Sequence, residues 1–271
     1  MTAAALESFV RDHQRLFVLT GAGCSTASGI PDYRDANGEW KNRPPVQFQD
    51  FMSSEATRRR YWARSLVGFR RVAAAAPSLA HRSLANLEAG GAVGALVTQN
   101  VDGLHQRAGS RAVIDLHGRL DAVRCMSCDF RAARADMQTW LIERNPAWAD
   151  LEAAEAPDGD ARLEGPFDGF DVPACPACLG VLKPDVVFFG ENVPKSRVST
   201  CYDALAASDA VLVVGSSLMV FSGFRFCLAA QEAGKPIALL NRGKTRADEI
   251  ATLKVDGECG EVLVDVVRRL S

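Results

Sequence analysis

Apolar residues along the chain alternate between short continuous runs and helical stripes. Leu16–Leu19, Val93–Val97, Val211–Val214 and Ile237–Leu240 are apolar almost throughout and bounded by glycine or polar residues. That pattern fits strands buried on both faces. Leu6, Phe9 and Val10 recur at helical spacing, which predicts a helix over residues 1–14. Residues 46–76 also read as helical, with Tyr61, Trp62, Leu66, Val67 and Phe69 set among six arginines. Pro77 closes that segment, and Leu79–Glu88 reads as another helix. Strands alternating with helices predict the α/β class, a doubly wound parallel (Rossmann-type) sheet.

Each apolar run ends in a small polar turn. Gly21-Ala22-Gly23 follows the first, and Ser25, Thr26 and Ser28 read as the start of a helix whose N-terminus favours a pyrophosphate. The spacing departs from G-x-G-x-x-G, since Thr26 stands where a third glycine belongs, so a dinucleotide site and an ordinary turn both remain open. Thr98-Gln99-Asn100-Val101-Asp102 follows the second run, Gly215-Ser216-Ser217 the third and Asn241-Arg242-Gly243 the fourth. Carboxyl ends of parallel strands are where open α/β sheets bind ligands. Asp35–Pro45, rich in Gly, Asn and Pro, reads as a mobile loop. Lys183 to Glu191, with its β-branched and aromatic centre, reads as a further strand.

Residues 123–182 interrupt the alternation. Cys125-x-x-Cys128 and Cys175-x-x-Cys178 bracket 46 residues, including an acidic stretch from Asp150 to Pro173 that reads as a surface loop. Two such pairs suit one tetrahedral zinc ion; a redox C-x-x-C needs only one. Four thiolates leave no open coordination position, so the zinc is structural. The expected division is 1–39, 79–122 and 183–271 as three parts of the nucleotide domain, 40–78 as a helical module and 123–182 as a zinc-binding module.

At 271 residues and 48% hydrophobic, the chain can bury a large core, and a formal charge of -2 argues against nucleic acid or anionic membrane as partner. The N-terminus, with Glu7 and Asp12, resembles neither a secretory signal nor a transit peptide. No apolar run approaches the roughly 18 residues of a membrane span. A monomer in a reducing compartment is expected: bacterial cytoplasm, or mitochondrial matrix in a eukaryote.

The segment GAGCSTASGIPDYR resembles the cofactor-loop signature of the sirtuins, NAD-dependent protein deacylases. TQNVDGLHQRAGS, the Leu-His-Gly at 116–118, both cysteine pairs, KPDVVFFGE, GSSL and NRG follow in sirtuin order across nearly the whole chain. RRRYWARSLVGF, APDGD and LKPDVVFFGENV are most similar to class II, the branch of the mitochondrial ADP-ribosyltransferase/lipoamidase-type sirtuin.

The resemblance implies a set of roles. Gly21, Ala22, Gly23 and Ser25 would cradle the NAD pyrophosphate, and Asp32, Tyr33 and Arg34 would shape the nicotinamide pocket. Gln99, Asn100 and Asp102 would line the nicotinamide ribose. Gly215, Ser216, Ser217, Asn241, Arg242 and Gly243 would hold phosphate and adenosine ribose, with Cys259 by the adenine. Of four histidines, His117 would be the general base, His105 a support, His81 a packed or capping residue and His13 a surface residue. An acyl-lysine peptide would add a strand between Val187-Phe188-Phe189-Gly190-Glu191 and the loop Met219–Gly223. Tyr61 and Arg64 share a helix side at i, i+3; they would hold a carboxylated acyl chain, or Arg64 pairs with a protein carboxylate. Cys24 reads as a small buried hydrophobe. The products would be nicotinamide, free lysine and O-acyl-ADP-ribose. Mono-ADP-ribosyl transfer, an NAD-sensing module and a zinc-ribbon nucleic-acid binder are the alternatives.

Overall fold

The computed structural model describes residues 2–41 and 45–270, so part of the 35–45 loop, residues 42–44, lies outside the described residues. Helix α1 (Ala3–Asp12) buries Leu6, Phe9 and Val10 and leads into β1 (Leu16–Thr20). The long arginine-rich segment is two helices, α2 (Phe48–Ser53) and α3 (Glu55–Ala74). Ser54 breaks it: its backbone is extended and its hydroxyl accepts from the Thr57 N–H, an N-cap that ends one helix and starts the next. There follow α4 (Leu79–Ala89), β2 (Val93–Thr98), α5 (Leu104–Arg107), β3 (Val113–Asp115), β4 (Gly118–Cys125), β5 (Arg131–Ala133) and α6 (Arg134–Arg144). Two short strands, β6 (Ala154–Glu155) and β7 (Ala161–Arg162), precede β8 (Leu182–Val186). The chain closes with α7 (Lys195–Ala206), β9 (Ala210–Val214), α8 (Phe221–Glu232), β10 (Ile237–Leu240), β11 (Leu253–Val255) and α9 (Cys259–Leu270).

Six strands form one parallel sheet in the order β11-β10-β9-β1-β2-β3. Alternation within each strand divides the core in two. Leu16 and Val18 of β1, with Leu212 and Leu240, pack with residues of α1, α4 and α9 on one face. Phe17 and Leu19, with Val211 and Leu239, pack against α7 and α8 on the other. The doubly wound expectation is met, with β3 and β11 extending the sheet beyond the four runs that periodicity marked.

A second body sits to one side. β5, β4 and β8 form an antiparallel sheet, and Trp62, Leu66, Met137, Leu141, Phe170 and Leu182 belong to a separate core beneath it. The Lys183–Glu191 stretch is therefore corrected: its strand pairs with β4 in this small sheet and stops at Val186. Beyond it, Glu191 Oε2 accepts the Phe188 N–H at 2.9 Å and the backbone turns, with Gly190 at φ 79°. Arg134, almost fully buried, donates to Ser65 and lies 4.1 Å from the Phe69 ring centroid, tying α6 to α3. Among the described residues no helix is long and apolar enough to cross a membrane.

Gly118 joins the two bodies. It follows His117, holds φ 81°, and a Cβ there would run into the Asp185 carbonyl oxygen. Backbone cannot move aside as a flexible side chain does. Gly118→Ala is expected to destabilise the protein by about 2 kcal/mol or more, read as a Tm loss of several degrees in thermal unfolding.

Candidate active site

Three polar turns meet at the carboxyl ends of β10, β9 and β1. The Gly23 N–H donates to Gly215 O at 2.9 Å, and the Gly215 N–H donates to Leu240 O at 2.9 Å. A Cβ on Gly21 would stand 2.8 Å from Gly215 O, and one on Gly23 2.9 Å from Gly215 Cα. Gly215 itself holds φ 61°. These glycines let two turns touch backbone to backbone.

No α-helix starts at Ser25. Ala22–Cys24 and Thr26–Ser28 are single 3-10 turns, and Gly29 at φ 82° followed by Pro31 ends them. Ser25 is consequently buried, and its hydroxyl serves the interior. It donates to Asp102 Oδ2 at 2.7 Å and accepts from Asn100 Nδ2 at 3.0 Å. Asn100 Nδ2 also donates to Gly21 O at 3.0 Å, and Asp102 Oδ1 accepts the Leu104 N–H at 2.9 Å. Ser25, Asn100 and Asp102 thus form one cluster.

Two histidines lie beneath it. His81 completes a capping box with Ser78 at the start of α4, and its Nε2 is 3.5 Å from Ser25 Oγ. Thr20 Oγ1 donates to Thr98 Oγ1 at 2.9 Å, so it accepts from His105 Nε2, also at 2.9 Å. That assigns the His105 proton to Nε2. Burial pushes His81 down to about 4, with Asp102 pulling the other way, and burial then the neighbouring His81 push His105 to about 3. Both are neutral supports. His13 is half-buried, its Nδ1 2.7 Å from Phe9 O.

His117 stands between β3 and β4. Its Nδ1 is 2.9 Å from Gln99 O, which can only accept, so Nδ1 carries the proton and Nε2 the lone pair. Nε2 is 2.8 Å from Ser222 Oγ, which therefore donates to it. Desolvation pushes His117 down to about 4; Arg197 and Arg225 add to this and the bond to Gln99 O opposes it. Gln99 also bridges to the glycine turns, its Nε2 donating to Ser216 Oγ at 2.8 Å and to Thr20 O at 3.2 Å. Imidazole 117 and the 215–217 turn share one hydrogen-bonded unit.

Other expected residues lie around this centre. Asn241 is buried at the end of β10, with Arg242 exposed beside it. A Cβ on Gly243 would strike Ala36, whose carbonyl accepts the Lys244 N–H at 2.8 Å. Residues 32–41 so form a flap against the 243 turn: Arg34 donates to Gly38 O at 2.7 Å and lies over Trp40, and Asp32 pairs with Lys41. Tyr33, Trp40 and Phe189 meet edge to face, with centroids 5.5–6.0 Å apart. Cys259 opens α9, and its thiol is buried against Cys24. The bond to Cys259 and then burial raise the Cys24 thiol well above its usual range, so it remains a neutral apolar filler.

Two substrate-side assignments look different in three dimensions. Phe188 is a core residue, and Glu191 turns inward to the buried Lys183 at 3.0 Å. The Val187 N–H is already bonded to His117 O at 2.7 Å, and the Phe189 carbonyl to the Phe48 N–H at 2.8 Å. Arg64 bonds Asp160 Oδ1 at 2.9 Å and Ala161 O at 2.8 Å, while Tyr61 packs against Phe51, Trp62 and Phe188. Burial raises the Asp160 carboxyl, Arg64 opposing. Sequence reasoning gave Trp40 and Asp160 no role and had Ser222 only as part of the 219–223 segment; only Trp40, a large aromatic in a polar loop, carried a local signal.

The four cysteines come together as expected. All their sulfurs lie within 4.8 Å of one another, with Cys125–Cys178 at 3.5 Å and Cys128–Cys175 at 3.7 Å. A tetrahedron of Zn–S bonds near 2.3 Å has edges of about 3.8 Å, so the donor set fits zinc.

The Sir2 family model matches residues 21–222. A Xanthomonas campestris pv. campestris protein named NAD-dependent protein deacetylase is 64% identical over 263 residues, 97% of this chain and 90% of the relative. A Bordetella bronchiseptica protein of the same name is 60% identical over 264 residues, 97% and 96% of the two chains. A solved Sir2 complex with a p53 peptide and NAD+ superposes with a TM-score of 0.80 at 29% identity, covering 99% of this chain and 98% of that one. Sir2Tm bound to a propionylated peptide gives 0.78 at 30% identity, with the same coverage.

The cysteine geometry predicts one zinc per chain by elemental analysis. Chelation, or Cys175→Ser, is expected to lower Tm and loosen β4, β5 and β8, read by amide exchange, while leaving the parallel sheet protected.

Proposed function

The chain belongs to the Sir2 family, and from that premise we propose that it is an NAD-dependent protein-lysine deacylase that removes acetyl groups from lysine. The observation that carries this reading is His117, its Nε2 lone pair facing Ser222 Oγ and its other nitrogen anchored by Gln99, which also grips the turn at Ser216. Bound NAD, which is consumed, supplies a ribose carbon that takes the acyl oxygen once nicotinamide leaves. The turns at 21–23, 215–217 and 241–243 would hold its phosphates and adenosine ribose. Asn100 and Asp102, fixed by Ser25, orient the nicotinamide ribose. His117 takes the proton of a ribose hydroxyl, so that this oxygen can attack the acyl carbon. Water then completes release of lysine and O-acyl-ADP-ribose. The peptide would lie between the Val187–Glu191 and Met219–Gly223 segments, and the 32–41 flap would exclude water.

We also assign the chain to class II, on RRRYWARSLVGF and LKPDVVFFGENV. On acyl preference, the Arg64–Asp160 contact supports the reading in which Arg64 serves a protein carboxylate. Neutral acyl groups are then ordinary substrates, and an acidic chain has to displace Asp160.

Acetyl-, glutaryl- and lipoyl-lysine peptides with NAD, products identified by mass, test the activity; an ADP-ribosylated protein in place of O-acyl-ADP-ribose points to the transferase alternative. Asp160→Asn is expected to raise the glutaryl-to-acetyl rate ratio by about threefold, the scale of a partly exposed ion pair, and Arg64→Met to leave wild-type acetyl rates unchanged. Selective loss of glutaryl removal in Arg64→Met sinks this assignment.

The base works as neutral imidazole. Because its folded pKa lies near 4, it stays competent at every pH above that value and fails only as pH falls through it. A plot of kcat/KM against pH is expected to be flat from about 6 to 8 with no inflection at the ordinary histidine value near 6.5. His117→Ala is expected to slow product formation by about 10²–10⁴-fold.

A further inference from the structure

We propose that Ser222 is a catalytic residue, the hydroxyl through which the ribose proton reaches His117; this rests on the deacylase reading above. Both nitrogens of His117 are already engaged, Nδ1 by Gln99 O at 2.9 Å and Nε2 by Ser222 Oγ at 2.8 Å. An incoming hydroxyl therefore reaches the base only by displacing Ser222 or by passing its proton along. Among the described residues, the charged groups acting on the ring are Arg197 of α7 and Arg225 of α8, which carry donors and no acceptor.

The fold clamps Ser222 in place. It is the second residue of α8, and Gly223 after it lies against the Gln99 side chain, where a Cβ would stand 2.6 Å from Oε1. The same Gln99 holds the imidazole through its backbone carbonyl and packs its side chain against the backbone at Gly223. Moving Ser222 Oγ off Nε2 takes a rotation about its Cα–Cβ bond and gives up that hydrogen bond, whereas relaying keeps it. A hydroxyl that donates one hydrogen bond keeps two acceptor lone pairs, and Ser222 is half-buried, at the edge of the site.

The step balances without a further reagent. The ribose O–H bond breaks and its proton goes to Ser222 Oγ. The original Ser222 O–H bond breaks at the same time and that proton goes to His117 Nε2. The ribose oxygen keeps the electron pair and forms its bond to the acyl carbon, while the π bond from that carbon to the lysine nitrogen breaks and its electron pair goes to the nitrogen. Ser222 ends as a neutral hydroxyl and His117 as imidazolium.

The test separates two stages with an acetyl-lysine peptide and NAD. Exchange of labelled nicotinamide precedes the base step; formation of O-acetyl-ADP-ribose follows it. Ser222→Ala is expected to keep exchange within about twofold and to slow O-acetyl-ADP-ribose formation at least tenfold. Ser222→Thr, which retains the hydroxyl, is expected to restore it. In mixtures of H₂O and D₂O the wild-type rate of that step should bow, as two protons move together, and the Ser222→Ala rate should fall on a line. Ser222→Ala forming product as fast as wild type, or faster, overturns the relay and leaves Ser222 as a mere occupant of Nε2. Wild type that exchanges no nicotinamide overturns the deacylase reading itself, a separate result.

Discussion

Direct backbone contact between the turn after β1 and the turn after β9 is the constraint on which the site depends. Gly21 and Gly23 lie against Gly215 at distances where any side chain would overlap. Parallel strands in register bring their carboxyl ends level, yet level ends alone do not bring two turns into backbone contact. Removing the side chains does, and it brings Gly21 O within reach of Asn100. The glycines that sequence assigns to close ligand approach thus also serve chain-to-chain approach.

Beneath that contact the interior is polar and neutral. Thr20, Thr98, His105, His81, Ser25 and Asn100 bond to one another or to Asp102 in a region where water does not reach most of them. Burial keeps both histidines uncharged, so the field at the site comes from oriented dipoles and from Asp102. A preorganised network of this kind orients a substrate without reorganising when charge develops. His117 obeys the same rule at the rim, where burial keeps it neutral.

The smaller body is tied to this centre by few but directional contacts. His117 O accepts from Val187, Glu191 Oε2 accepts from both the Phe188 N–H and the buried Lys183, and within the smaller body Asp160 pairs with Arg64. The zinc cysteines hold the other end of the same antiparallel sheet, since β4 carries both Gly118 and Cys125. The metal-ligand cluster and the site are therefore linked through one strand.

Much of the molecule was legible from residue order. Apolar runs marked four of the six parallel strands, the two cysteine pairs marked the metal-ligand cluster, and the motif around 117 marked an imidazole that does lie with the 215–217 turn. These follow from local period and from residue chemistry, both of which a sequence displays directly. The tertiary structure alone decided that Ser25 caps no helix but faces Asp102, that Ser222 sits on the base, and that Arg64 meets Asp160. Those partners are 77, 105 and 96 residues apart. Such contacts arise from strand register and loop course, which no local pattern of apolar and polar residues specifies.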